Sequence, residues 1–292
     1  MSNKNVERIL VPGTPHFVGD GFRVHNYIPG ELGLGMERMD PFLLLDYNPV
    51  WEVTPREHPR GVGVHPHRGF ETVTIAYKGS VAHHDSSGGG GVIHPGDVQW
   101  MTAGSGILHK EYHEEGFSRS GGTFHMVQLW VNLPARVKRT PPRYQALKNA
   151  SLGNVILPGE GGRVEIIAGS FEGVSGPAKT FSPVHLSNVR LNAGGRVHFS
   201  FPESHHTALL VVEGEATIQE DTDVPADRFV LFGSKGTDVS IHTVSGCVVL
   251  VLSGEPLGEP IAAQGPFVMN TREELKEAYH DFLTGKFGEL AD

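Results

Sequence analysis

Between Phe70 and Leu133 the chain spells out short runs of β-branched and aromatic residues, each closed by glycine or proline, at a spacing of about 8–12 residues. Thr72–Tyr77 is followed by a turn at Gly79, and Ser80–His84 by the loop Gly88–Gly91. Pro95-Gly96 turns the chain into Val98–Met101, and Ile107–Glu111 and Met126–Leu133 complete the series. Runs this short do not build a helical bundle; they fit an antiparallel sandwich or barrel. The 38 glycines and 20 prolines, beside a hydrophobic fraction of only 38%, are what many tight turns require.

The second half carries the same theme. Thr207–Val212, Glu213-Gly214 and Glu215–Gln219 echo Val73–Tyr77, Lys78-Gly79 and Ser80–His84, and Phe229–Phe232 and Gly246–Leu252 continue the series. The expected fold is therefore all-β, two tandem antiparallel β-barrels of jelly-roll type. The expected domains are 1–134 and 146–292, joined by a linker over 135–145 that Pro134 and Pro141-Pro142 mark out. One helix closes the chain. Thr271-Arg272-Glu273-Glu274 forms a capping box, Leu275, Ala278, Tyr279, Phe282 and Leu283 form an apolar stripe, and Gly285 stands at the stop.

Composition excludes several functions. The net charge is −9 and no run of Lys or Arg occurs, so no footprint for nucleic acid is visible. The weakly basic Arg136–Arg143 is broken by prolines and reads as solvated linker. The single cysteine, Cys247, lies in an apolar run and reads as an inert buried thiol in a reducing compartment. Neither a signal-peptide core nor an apolar stretch of the ~20 residues a membrane helix needs is present, so a cytoplasmic monomer without membrane contact is the simplest expectation.

Two histidine pairs carry the chemistry. His65-Pro66-His67 and His109-Lys110-Glu111 each place two metal-binding side chains at i and i+2. On a β-strand those positions share a face, so each pair is a pincer. Two facing pincers would give three imidazoles and one carboxylate around a single ion, a set suited to a redox-active divalent metal, with iron first. Eleven of the 17 histidines precede residue 126, which is not how surface histidines distribute. A second carboxylate, Glu71, follows His67 at the same parity, so the residues alone leave Glu71 and Glu111 both open.

These pairs approximate His-x-His-x3-Glu-x7-Gly and Gly-x12-His, the two cupin motifs. HPHRGFETVT (His65–Thr74), PGDVQWMTAGSGILHKE (Pro95–Glu111), QLWVNLP (Gln128–Pro134), DPFLLLD (Asp40–Asp46) and GPFVMNTREEL (Gly265–Leu275) together resemble the pirin family of bicupins. The resemblance runs in order from about Arg23 to Phe282. It implies one mononuclear iron(II) in the first domain, held by His65, His67, His109 and Glu111, with other divalent metals as substitutes. Glu71 is then left to orient a histidine. It implies too that the second domain has lost its ligands, since laying Gly214 over Gly79 puts Ser200 and Pro202 where His65 and His67 stand. His84 departs from the family, where many relatives carry an acidic residue.

The activity implied is a quercetin 2,3-dioxygenase, taking a small aromatic flavonol and O2 and releasing carbon monoxide, with Glu111 as the catalytic base. The family offers a second expectation, an iron-dependent redox sensor that binds a regulatory protein partner without turnover. A zinc- or nickel-loaded hydrolase or isomerase is a third. Phe70, Met126 and Trp130 are candidates for an apolar cavity, with plain core the expectation for each. His83 and Asp85 are expected to bond structurally at the barrel rim. His16, His25, His58, His94, His113, His185 and His280 are expected to face solvent.

Overall fold

The computed structural model describes residues 2–30 and 33–291. Its strands up to residue 147 are β1 (Val6–Leu10), β2 (His16–Val18), β3 (Phe22–Ile28), β4 (Phe42–Val53), β5 (Gly61–His67), β6 (Phe70–Lys78), β7 (Val81–Asp85), β8 (Gly90–Ile93), β9 (Val98–Thr102), β10 (Ile107–His113), β11 (Gly122–Asn132) and β12 (Arg143–Leu147). Two helices, α1 (Glu115–Ser120) and α2 (Arg272–Leu283), interrupt the strands among the described residues. The protein is all-β, two cupin domains with a terminal helix, as the turn spacing requires. Among the described residues no helix is long and apolar enough to cross a membrane.

The first compact unit comprises Gly13–Glu37, Pro41–Asn149 and Leu257–Asp292. Seven strands form one antiparallel sheet in the order β12-β9-β6-β11-β4-β3-β2, and β5-β10-β7-β8 form a second. β6 is buried along nearly its whole length because the sheet is covered on both faces. β10 alternates instead: Ile107, His109, Glu111 and His113 point inward, and Leu108, Lys110 and Tyr112 are only half-buried. Gly79 takes φ +77° in the β6–β7 turn, a conformation that any side chain would strain.

The second unit comprises Met1–Pro12, Arg38–Asp40 and Ala150–Pro256. Its main sheet sets Cys247–Gly254 between His206–Ile218 and Val184–Leu191, and β1 pairs with Arg228–Phe232 at the edge. Its core is packed from both sides by residues such as Val189, Phe199, Leu209, Phe232 and Val249. Cys247 is buried there, and burial pushes its thiol up to about 11, the inert thiol its apolar run implies.

The units do not follow the sequence-order division of 1–134 and 146–292. Both chain ends are exchanged: the N-terminal strand belongs with the later residues, and the C-terminal segment with the earlier ones. Phe267 is fully buried in the first unit, with its ring against Tyr279 at 4.8 Å and Phe287 at 5.9 Å. The α2 cap forms as the sequence requires, with Glu274 N–H donating to Thr271 Oγ1 at 3.1 Å and Thr271 N–H to Glu274 Oε2 at 3.0 Å. Residues 135–145 also differ from a solvated linker. β12 completes the seven-stranded sheet, and Lys138 is 2% exposed, its ammonium donating to Gly69 O at 2.8 Å, Asn132 Oδ1 at 2.7 Å and Val268 O at 3.2 Å.

That ammonium pins the turn after His67 to the C-terminal segment. Lys138→Met keeps the volume and removes this buried donor from the three oxygens, so it should destabilise the protein by about 1–3 kcal/mol. Chemical denaturation of the two proteins checks this; equal midpoints and slopes would remove the pin.

Candidate metal centre

The cross-strand register builds the site. On β10, His109 lies opposite His65 of β5 and Ile107 opposite His67. The register slips between His109 and Glu111, which faces Val62, so β5 carries a bulge that re-aims the pair. Gly69 takes φ +88° and brings the chain from β5 into β6; a Cβ there would strike the backbone of Val268.

Three imidazoles converge. The ring centroids lie 4.9 Å apart for His65 and His67, 4.1 Å for His65 and His109, and 4.6 Å for His67 and His109. One donor nitrogen from each lies within 4.8 Å of the others. His65 Nδ1 is 2.8 Å from Gly63 O, and His67 Nδ1 is 3.2 Å from Pro266 O. A carbonyl can only accept, so each Nδ1 carries the proton and each Nε2 is a bare lone pair. His109 is fully buried and its Nε2 has no hydrogen-bond partner. Burial, with the His65 ring beside it, drives His67 down to about 3, against the bond to Pro266. The same burial and the neighbouring rings hold His109 well below its ordinary value. His67 and His109 are therefore neutral near pH 7, as metal ligands must be. The residues fit a metal.

Glu111 gathers with His109 and His83, donor atoms of all three lying within 4.8 Å of one another. Its carboxylate accepts from Thr74 Oγ1 at 3.2 Å and from Gln128 Nε2 at 3.5 Å. Thr74 and Gln128 were not singled out in the sequence. The available signal was polarity at inward positions of two otherwise apolar strands. His83 is deeper than a rim residue: it is fully buried, with its Nδ1 3.4 Å from His109 Nδ1.

A cavity of about 330 Å³ opens on this cluster, lined by His65, His67, Thr74, Glu111 and Gln128 on its polar side and by residues such as Phe22 and Val24 on the other. Met126 and Trp130 line it, whereas Phe70 is core, stacked behind at 4.2 Å from Trp130. Glu71 does not orient a histidine; it accepts from Thr102 Oγ1 at 2.7 Å, with Arg143 at 3.9 Å. The break at Gly69 ends the parity that joined it to His67. His113 and His185 are buried rather than solvent-facing, the first because strand alternation turns it inward and the second because its strand is covered on both faces; burial takes each down to about 4. His84 is exposed and stacks on Tyr112. Among the described residues no such donor cluster occurs in the second unit, where His206 Nδ1 bonds Asp40 O and His205 Nδ1 bonds Ser253.

The family models for Pirin and for the Pirin C-terminal cupin domain match residues 21–131 and 186–288. The chain is 48% identical over 285 residues to a Pseudomonas aeruginosa protein named "Putative quercetin 2,3-dioxygenase", covering 97% of this chain and 98% of that one. The chain belongs to the pirin family. A pirin-like protein of Caulobacter vibrioides is 39% identical, covering 95% of this pirin and 97% of its own length. The crystal structure of a quercetin 2,3-dioxygenase from Acinetobacter baumannii superposes with a TM-score of 0.92 at 43% identity, covering 99% of this pirin and 100% of that chain.

Burial pushes Glu71 from an ordinary 4.5 up to about 7, against its bond to Thr102 and the charge of Arg143. Between those two values the unfolded chain has released the proton while the folded chain still holds it. Folding stability contributed by this group therefore falls as pH rises through that window and levels off above it. Glu71→Gln removes the titration. Its stability relative to wild type should rise from pH 4.5 to about 7 and then stay flat, as read by thermal denaturation across pH; parallel curves would contradict the assignment.

Proposed function

We propose that this pirin is a dioxygenase that opens the central ring of flavonols such as quercetin with O2 at a mononuclear iron, releasing carbon monoxide. The carrying observation is that His109 shares one donor cluster with His65 and His67 and another with Glu111, while His65, His67 and Glu111 line a cavity whose remaining wall is mostly apolar. The relatives named as quercetin 2,3-dioxygenases support the reaction class. An iron(II) ion held by His65, His67, His109 and Glu111 would supply Lewis acidity toward the substrate oxygens and the redox chemistry that lets O2 react.

The chain's own residues do the rest. The apolar wall of Phe22, Val24, Leu44, Val62, Met126 and Trp130 takes a flat aromatic molecule and keeps water out, and the volume of about 330 Å³ is in the range of small-molecule sites. Glu111 takes the proton of the flavonol 3-hydroxyl. Thr74 and Gln128 hold the carboxyl group in place, so that it meets the hydroxyl without a search.

Oxygen uptake with quercetin tests the reading, together with metal content on the same samples. His109→Ala should lose both the metal and the activity. Glu111→Gln should lower the rate per bound metal by about 10²–10⁴-fold. Full metal and full turnover in both variants would sink the assignment.

A further inference from the structure

β7 lies beside β10 with His83 opposite Glu111 and Asp85 opposite His109. All four side chains are buried, so they form one inward-facing group, of which the metal centre uses only the β10 half. His83 is held as a plate. Tyr144 stacks on one face at 5.4 Å with an interplanar angle of 15°, and the His109 ring lies 5.1 Å away. Asp85 is anchored in turn: its Oδ1 accepts from Ser87 N–H at 2.8 Å, Ser87 Oγ at 2.6 Å and Gly89 N–H at 2.9 Å. Its Oδ2 lies 3.5 Å from His83 Nε2, and both atoms are buried with no hydrogen-bond partner, so each is the complement available to the other.

The protons on this row can be assigned by elimination. The Asp85 carboxylate only accepts, so His83 Nε2 carries hydrogen. Taken neutral, the His83 ring has one N–H, and its Nδ1 is then a lone pair. That lone pair faces His109 Nδ1 at 3.4 Å, so His109 Nδ1 carries hydrogen and donates to it. His109 Nε2 is then bare, and it is the buried nitrogen without a partner. His65 and His67 reach the same state through backbone carbonyls, which His109 lacks.

We propose that Asp85 and His83 are positioning residues: a carboxylate–imidazole relay that fixes the tautomer of His109 and presents its Nε2 to the metal. This rests on the metal-centre reading and adds to it a reason for two buried polar residues. The class of role is known for carboxylates behind metal-bound histidines, where loss of the outer partner costs about 10–100-fold in affinity.

The direct test reads the tautomer. Two-bond proton–nitrogen NMR on histidine-labelled protein, metal-free at pH 7.5, should show His109 protonated at Nδ1 and bare at Nε2. Asp85→Asn is nearly isosteric and can donate to His83, which reverses the row. It should bring up the Nε2–H form of His109 and weaken zinc(II) binding by about 10–100-fold in competition with a chelator. His83→Leu should do likewise, while His83→Gln, which keeps an acceptor, should recover most of the affinity. Cobalt(II) absorption should be the same in every variant. An Nε2–H tautomer in the wild type would overturn the relay, as would an Asp85→Asn variant with unchanged tautomer and affinity. A cobalt spectrum that loses a ligand with His83 would make His83 a ligand and overturn it too. If the wild type binds no stoichiometric zinc, the metal-centre reading fails by itself, and the metal-free tautomer still decides the relay.

Discussion

Three imidazole rings 4.1–4.9 Å apart in a buried space are stable together only while neutral, and useful together only while their lone pairs point inward. Both conditions are met from outside the cluster. Burial strips the charge from His67 and His109, since each protonated ring would face its neighbours without water to screen it. The hydrogen bonds behind the rings then settle which nitrogen is bare. Gly63 and Pro266 serve His65 and His67 with carbonyl oxygens. The strand register, the bulge in β5 and the sharp turn at Gly69 are the backbone means of arranging this. The local geometry of this barrel therefore serves to keep three rings in register.

The sequence disclosed the elements that local pattern encodes. Alternation on Ile107–His113 predicts that His109 and Glu111 share a face, and the structure has them inward with His113 beside them. The α2 capping box and the glycine turns were legible for the same reason: each is settled within a few residues. What was not legible depends on partners distant along the chain. The Nδ1 of His67 meets a carbonyl 199 residues away, and no periodicity announces that. Arg68, 5% exposed, pairs with Asp281 of α2 at 3.0 Å, again from the far end of the sequence. Lys138 sits in a stretch that composition assigns to solvent, yet three oxygens receive its ammonium in the interior. A buried cation is tolerable where its hydrogen bonds are all made, and composition cannot count acceptors.

His83 and Asp85 show a second limit. Both are visible as polar residues on a strand, and both belong to a constellation only because β7 pairs with β10 rather than with another strand. Pairing order in an antiparallel barrel is a tertiary choice, so the same five letters read as rim or as site depending on their neighbour.

The second unit shows what the first one forgoes. Sequence overlay on the turn glycines sets Ser200 and Pro202 against the metal-binding pair, yet those residues are exposed while Phe199 and Phe201 are buried and stacked at 5.5 Å. A strand with period two has only two ways to face, so a shift of one residue exchanges every inward group at once. On that strand of the second unit the buried side chains are aromatic, and they join a large hydrophobic core. In the first, histidines and carboxylates stand at those positions and a cavity of about 330 Å³ remains.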